Sequence, residues 1–126
     1  MPIKTITERP LRQEEVGVIH WMLRHASRGG TLDHLIPTVD GLRVVGICDC
    51  GCPSIDFEIG GRGGGTCIIA DAPGTSPEGF YVDLILWSKG EVITALEVCS
   101  PASTFTLPRI EALRTWEQYG KEYAKA

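Results

Sequence analysis

Between residues 42 and 99 the chain alternates apolar and polar side chains, and glycine, proline or serine clusters interrupt every run. No other feature limits the fold as much. A period of two places successive side chains on opposite faces of an extended strand. The short gaps leave no room for the helical crossovers that parallel strands need. The pattern predicts strands over 42–48, 54–59, 66–71, 80–87 and 91–99, joined as an antiparallel five-stranded meander. Turn chemistry fills the gaps: Cys50-Gly51-Cys52-Pro53, the glycine run Gly60–Gly65, Pro73 to Gly79, and Ser88-Lys89-Gly90.

The last hairpin allows a register to be proposed. A three-residue loop over 88–90 with Gly90 left-handed makes Trp87 face Glu91. Phe80, Val82, Leu84 and Leu86 then lie beside Val98, Leu96, Thr94 and Val92 on one face. Tyr81–Glu97, Asp83–Ala95 and Ile85–Ile93 pair on the other. A two-residue turn would mix charged and apolar groups on both faces. In the 54–59 run, Ile55, Phe57 and Ile59 alternate against Ser54, Asp56 and Glu58.

Helical spacing appears on either side of the strands. Val16, Ile19, Met22, Leu23 and Ala26 form an apolar stripe within residues 11–28. Glu14 and Glu15 stand near its start and Arg24, His25 and Arg28 near its end, matching the helix dipole, and Gly29-Gly30 supplies a stop. Thr31 is placed to cap a short helix over Leu32–Ile36 ended by Pro37. Ile110, Leu113, Trp116 and Tyr119 predict a short C-terminal helix within 109–123. The expected fold is one α+β domain over residues 1–126, with the N-terminal helix on the apolar face of the sheet.

A net charge of −4 without any Lys/Arg run excludes nucleic acid and anionic membrane as expected partners. The most apolar stretch, Tyr81 to Trp87, is interrupted by Asp83 and falls far short of the roughly 20 residues that span a bilayer. Met1 to Pro10 contain no apolar segment of the secretory type. The five cysteines are odd in number and sparse, which favours a reducing compartment and a cytoplasmic location.

Three of those cysteines form an unusual run, Cys48-Asp49-Cys50-Gly51-Cys52-Pro53. Thiolates are soft ligands for zinc or copper, so Cys48, Cys50 and Cys52 are the candidate metal ligands and zinc the candidate ion. Structural zinc usually takes four ligands. In a meander, Cys99 stands three strand spacings from the 54–59 strand, roughly 14 Å, and reaches the run only if the sheet curls strongly. Thiol redox chemistry and a tight turn of small, partly buried residues are the other readings.

The remaining motifs have plainer explanations. Gly60–Gly65 precedes a strand rather than a helix and lacks the Lys-Ser/Thr of a phosphate loop, so it reads as a flexible hairpin loop. His20 and His25 are five apart, a splayed spacing on a helix, and with His34 they read as surface or boundary residues. Asp56, Glu58, Tyr81, Asp83 and Glu97 share the outer sheet face. They read first as a solvated face, then as a docking surface for a basic protein partner, and last as paired carboxylates for acid–base catalysis or a hard cation. Ile85, Trp87 and Ile93 on that face suggest that a helix or a second subunit covers it, which leaves a dimer open. No catalytic or cofactor-binding residue is assigned.

The opening Arg9-Pro10-Leu11-Arg12-Gln13-Glu14-Glu15, the stretch Val44 to Ser54 and the hairpin Val82 to Gly90 running into Leu96-Glu97-Val98 resemble small uncharacterised bacterial domains. The resemblance implies a family of unknown function with toxin-immunity and accessory proteins among its look-alikes, and it carries over no catalytic residue. The leading expectation is a non-enzymatic protein-binding domain using the outer sheet face. The alternatives are a thiolate metal-binding protein, or a small enzyme with its pocket near Asp49 and Asp71.

Overall fold

The computed structural model describes residues 3–125, so positions 1, 2 and 126 of the expected domain lie outside the described residues. The chain runs β1 (Ile3–Pro10), α1 (Gln13–His25), a 3₁₀ helix (Asp33–Gly41), β2 (Arg43–Cys48), β3 (Ile55–Asp56) and β4 (Cys67–Thr75). It continues through β5 (Tyr81–Lys89), β6 (Val92–Cys99), a short 3₁₀ helix (Ile110–Ala112) and α2 (Trp116–Lys125). The fold is α+β on an antiparallel sheet, as the alternation requires. The sheet is six-stranded, in the order β1-β2-β3-β6-β5-β4. It is neither five-stranded nor a meander.

Both departures have local causes. β1 carries no clean alternation and is mostly exposed, because an edge strand buries little on either face. It pairs with β2 through a register slip between Thr5 and Arg9. β3 is only two residues long and pairs with β6 through Ile55↔Leu96 and Asp56↔Ala95. Beyond it, the Phe57 N–H donates to the Thr94 carbonyl at 2.8 Å, and the chain crosses β6 to reach the far edge of the sheet at β4. The glycine run is therefore a crossover, not a hairpin loop. Ile59, expected to point inward, is 85% exposed.

The β5–β6 hairpin turns on two residues, Gly90 and Glu91, between the paired Lys89 and Val92. Gly90 has φ +61, as the first central position of a type II′ turn demands. The mixing of faces expected from such a turn does not occur, because a β-bulge intervenes. Trp87 pairs with Ala95 and Ser88 with Ile93, leaving Thr94 as the extra residue. The bulge returns Val82, Leu84, Leu86, Leu96 and Val98 to one buried face. It also turns Ile93 inward, against the expectation, while Phe80 and Val92 end up exposed.

Val18, Ile19, Met22 and Leu23 of α1 cover that face, each fully buried and each contributing about 1.5–3 kcal/mol by leaving water. The start of α1 is fixed by Glu15, which accepts the Arg12 N–H at 2.7 Å and a two-pronged contact from Arg9 at 2.9 and 3.0 Å. Pro37 lies inside the 3₁₀ helix instead of ending a helix before it. The C-terminal segment is split around buried Leu113 rather than forming one helix. Two segments close the free edge of β4: Ala26 and Arg28 pair with Asp71 and Ile69, and Arg114 donates to the Pro73 carbonyl. No helix among the described residues is long and apolar enough to cross a membrane.

Candidate functional site

The cysteine run leaves the end of β2 and turns back toward β3. Gly51, at φ +88, makes the reversal that only glycine adopts without strain, and its N–H returns to the Cys48 carbonyl at 3.1 Å. This turn draws the sulfurs of Cys48, Cys50 and Cys52 within 4.8 Å of one another. Cys48 and Cys50 Sγ are 2.8 Å apart, and the Cys52 N–H points at Cys50 Sγ at 3.4 Å. Burial, with the contact to Cys50, pushes the Cys48 thiol up to about 11. Cys50 is exposed, and the hydrogen bonds from Cys48 and from the Cys52 backbone lower its pKa.

The strand order overturns the placing of Cys99 far from this turn. Because β3 pairs directly with β6, Ser54 Oγ accepts the Val98 N–H at 2.8 Å and donates to the Val98 carbonyl at 3.2 Å. Cys52 Sγ contacts the same Ser54 hydroxyl at 3.4 Å, and Cys99 follows Val98. Cys50, Cys52 and Cys99 consequently line one small cavity of about 170 Å³. Burial first, then the Glu97 charge, raises the Cys99 thiol to about 12, and Cys52 adds to the shift. Cys67 stands elsewhere, beside Ser88.

A second constellation lies alongside on the outer sheet face. The glycine crossover lays Arg62 over the sheet, with Nε 3.3 Å from Asp56 Oδ1 and Nη1 3.6 Å from Glu97 Oε2. Glu97 also accepts the Trp87 indole N–H at 3.0 Å and the Cys99 thiol at 3.4 Å, joining the two constellations. Asp56 is not part of a solvated face. Its side chain is 4% exposed and packs over Gly46, and its Oδ1 has no hydrogen-bond partner among the described residues. Burial raises its pKa, Arg62 opposes the rise and Glu97 adds to it.

The five acidic and phenolic residues expected to act as one surface divide into two groups. Asp56, Glu58 and Glu97 line a single groove of about 490 Å³ together with Arg62 and Trp87. Tyr81 and Asp83 stand apart, hydrogen-bonded to each other at 2.6 Å, with the Tyr119 ring of α2 5.8 Å from Tyr81. Asp71 is taken up by Arg28 at 2.7 Å. Sequence reasoning missed Arg62 by treating its glycine-rich surroundings as plain flexibility. A lone cation inside a glycine run that follows alternating acids was the available signal. Cys99 carried no local signal, since only strand order brings it close.

Fold and geometry define an α+β domain with a thiol turn abutting an acidic groove. No family model, no curated protein and no solved structure matches the chain.

Proposed function

We propose that this protein binds a soft metal ion, zinc or cuprous copper, at Cys48, Cys50 and Cys52, with Cys99 as the fourth thiolate. The observation that carries the reading is the convergence of three sulfurs within 4.8 Å on a turn fixed by Gly51. Thiolates around tetrahedral zinc sit about 2.3 Å from the metal, which separates neighbouring sulfurs by about 3.8 Å. The turn holds its three sulfurs within 4.8 Å, and Cys48 and Cys50, at 2.8 Å, need open by only about 1 Å to share an ion, so folding meets much of the ordering entropy of assembling a site. Cys99 stands outside the three-sulfur cluster, and its place in the cavity beside Cys50 and Cys52 makes it the nearest further thiol that could close the site. Burial first, and then neighbouring groups, keeps Cys48 and Cys99 protonated, and a bound cation would favour the thiolate at both.

Metal content of the full chain expressed with zinc supplementation and purified under reducing conditions tests the proposal. One zinc per chain is expected. Cobalt should substitute with intense thiolate-to-metal charge transfer, and a C48S/C50S/C52S variant should lose both signals. A C99S variant should keep the metal but bind it at least tenfold more weakly. Protein that carries no zinc and shows no charge transfer with cobalt defeats the reading.

A further inference from the structure

The outer-face groove adjoins the thiol site through Arg62 and Glu97, but its chemistry is of another kind. It is lined by three carboxylates, Asp56, Glu58 and Glu97, and by one guanidinium, Arg62. Ile3, Trp87 and the exposed Ile59 supply apolar lining beside these charges. At about 490 Å³ it matches the clefts that hold small molecules, which combine apolar lining with a few converging polar groups.

The seat at its floor is charged but incompletely bonded. Asp56 Oδ1 is buried without a hydrogen bond, although a buried carboxylate ordinarily gathers several. Arg62 lies near it at 3.3 Å, out of line, and divides its charge with Glu97 at 3.6 Å. One guanidinium thus hovers over two carboxylates and hydrogen-bonds neither. Arg62 stands among Gly60, Gly61, Gly63, Gly64 and Gly65, so no adjacent side chain confines its own, and its guanidinium can swing aside while Gly61 stays anchored to Thr94.

We infer that this groove is a binding site for a small organic cation, an ammonium or guanidinium group on an apolar body, and that Arg62 is the placeholder the ligand displaces. A ligand ammonium reaching Asp56 in line supplies the missing hydrogen bond, and Glu97 accepts a second. The apolar body lies against Trp87, whose ring face also attracts cations. With three carboxylates against one guanidinium, a neutral or anionic ligand gains nothing from the seat.

Titration of the ¹⁵N-labelled full chain with phenethylamine and with agmatine tests the inference. N-acetylphenethylamine is the neutral control, a lysine-containing tripeptide blocked at both ends is the protein-like arm, and W87F assigns the Trp87 indole resonance. Saturable shifts of that resonance are expected with one or both free amines and none with the acetylated control. R62Q should bind the amine at least tenfold more tightly and E97Q more weakly. D56N should bind at least tenfold more weakly, and if it fails to fold, R62Q and E97Q carry the test. No saturable response to either amine, equal response to the neutral control, unchanged or weaker binding by R62Q, or binding confined to the blocked peptide would each overturn the inference.

Discussion

Thr94 and Gly61 lock the glycine crossover onto the sheet: the Thr94 hydroxyl donates to the Gly61 carbonyl at 2.6 Å. The Thr94 carbonyl in turn occupies the space that a Cβ on residue 61 would need. Thr94 is the bulged residue of β6, so the irregularity that corrects the hairpin's register also anchors the segment bearing Arg62. Gly61→Ala should therefore cost about 2 kcal/mol or more, since the obstacle is backbone and cannot rotate away. Gly64, with open space around its Cα, should accept alanine almost silently. Thermal denaturation of the two variants makes the comparison, and equal melting temperatures would contradict this account of the crossover.

Glu15 is the anchor between β1 and α1. Burial alone would raise its pKa, but the hydrogen bonds from Arg9 and the Arg12 backbone outweigh burial and bring it below 4.5. Glu15→Gln loses charge-assisted bonds and should destabilise the fold by about 2 kcal/mol at neutral pH.

The two buried carboxyls act oppositely on acid stability. A lowered folded-state pKa means that Glu15 contributes fully above about 4.5 and that its contribution is lost as pH falls through its folded value. Asp56, raised above 3.8, imposes a penalty that is relieved as pH falls through its folded value. Unfolding free energies measured from pH 7 to pH 3 should show a flatter acid limb in Glu15→Gln and a steeper one in Asp56→Asn. The reverse ordering would refute the assignment.

Leu113 ties the C-terminal segment to β4. It is 3% exposed, and its Cδ2 would stand 3.0 Å from a Cβ placed on Gly74. Leu113→Ala should cost about 2–4 kcal/mol and free the Arg114–Pro73 hydrogen bond for amide exchange. Unchanged exchange at Arg114 would show that the segment docks by other means.

The thiols should react in a set order. Cys50, exposed and with its thiolate favoured, is expected to alkylate before Cys48, which is buried and held protonated near 11. Iodoacetamide at limiting concentration followed by peptide mass spectrometry reads the order. Zinc should slow the reaction at both sites, and protection at neither would count against a shared ion.

Much of this arrangement could be read along the chain because it is local. The apolar stripe of α1, the inward row Val82-Leu84-Leu86 and the glycine-hinged cysteine turn depend on residues within a few positions of one another. Their periodicity is enforced by backbone geometry. β1 escaped notice because an edge strand needs no buried face. The hairpin register was misjudged because the alternation is equally satisfied by a bulge at Thr94.

Sequence alone determined the inward row Val82-Leu84-Leu86 of β5 and the tight turn that carries Cys48, Cys50 and Cys52, since both follow from bonds between near neighbours. Only the tertiary structure decided that β3 lies against β6. That pairing delivers Cys99 to the thiol turn, buries Asp56 and brings Arg62 across both. The physical reason is that strand order is a competition among distant segments for the same edge. Its outcome rests on summed packing and loop closure that no short stretch of residues records.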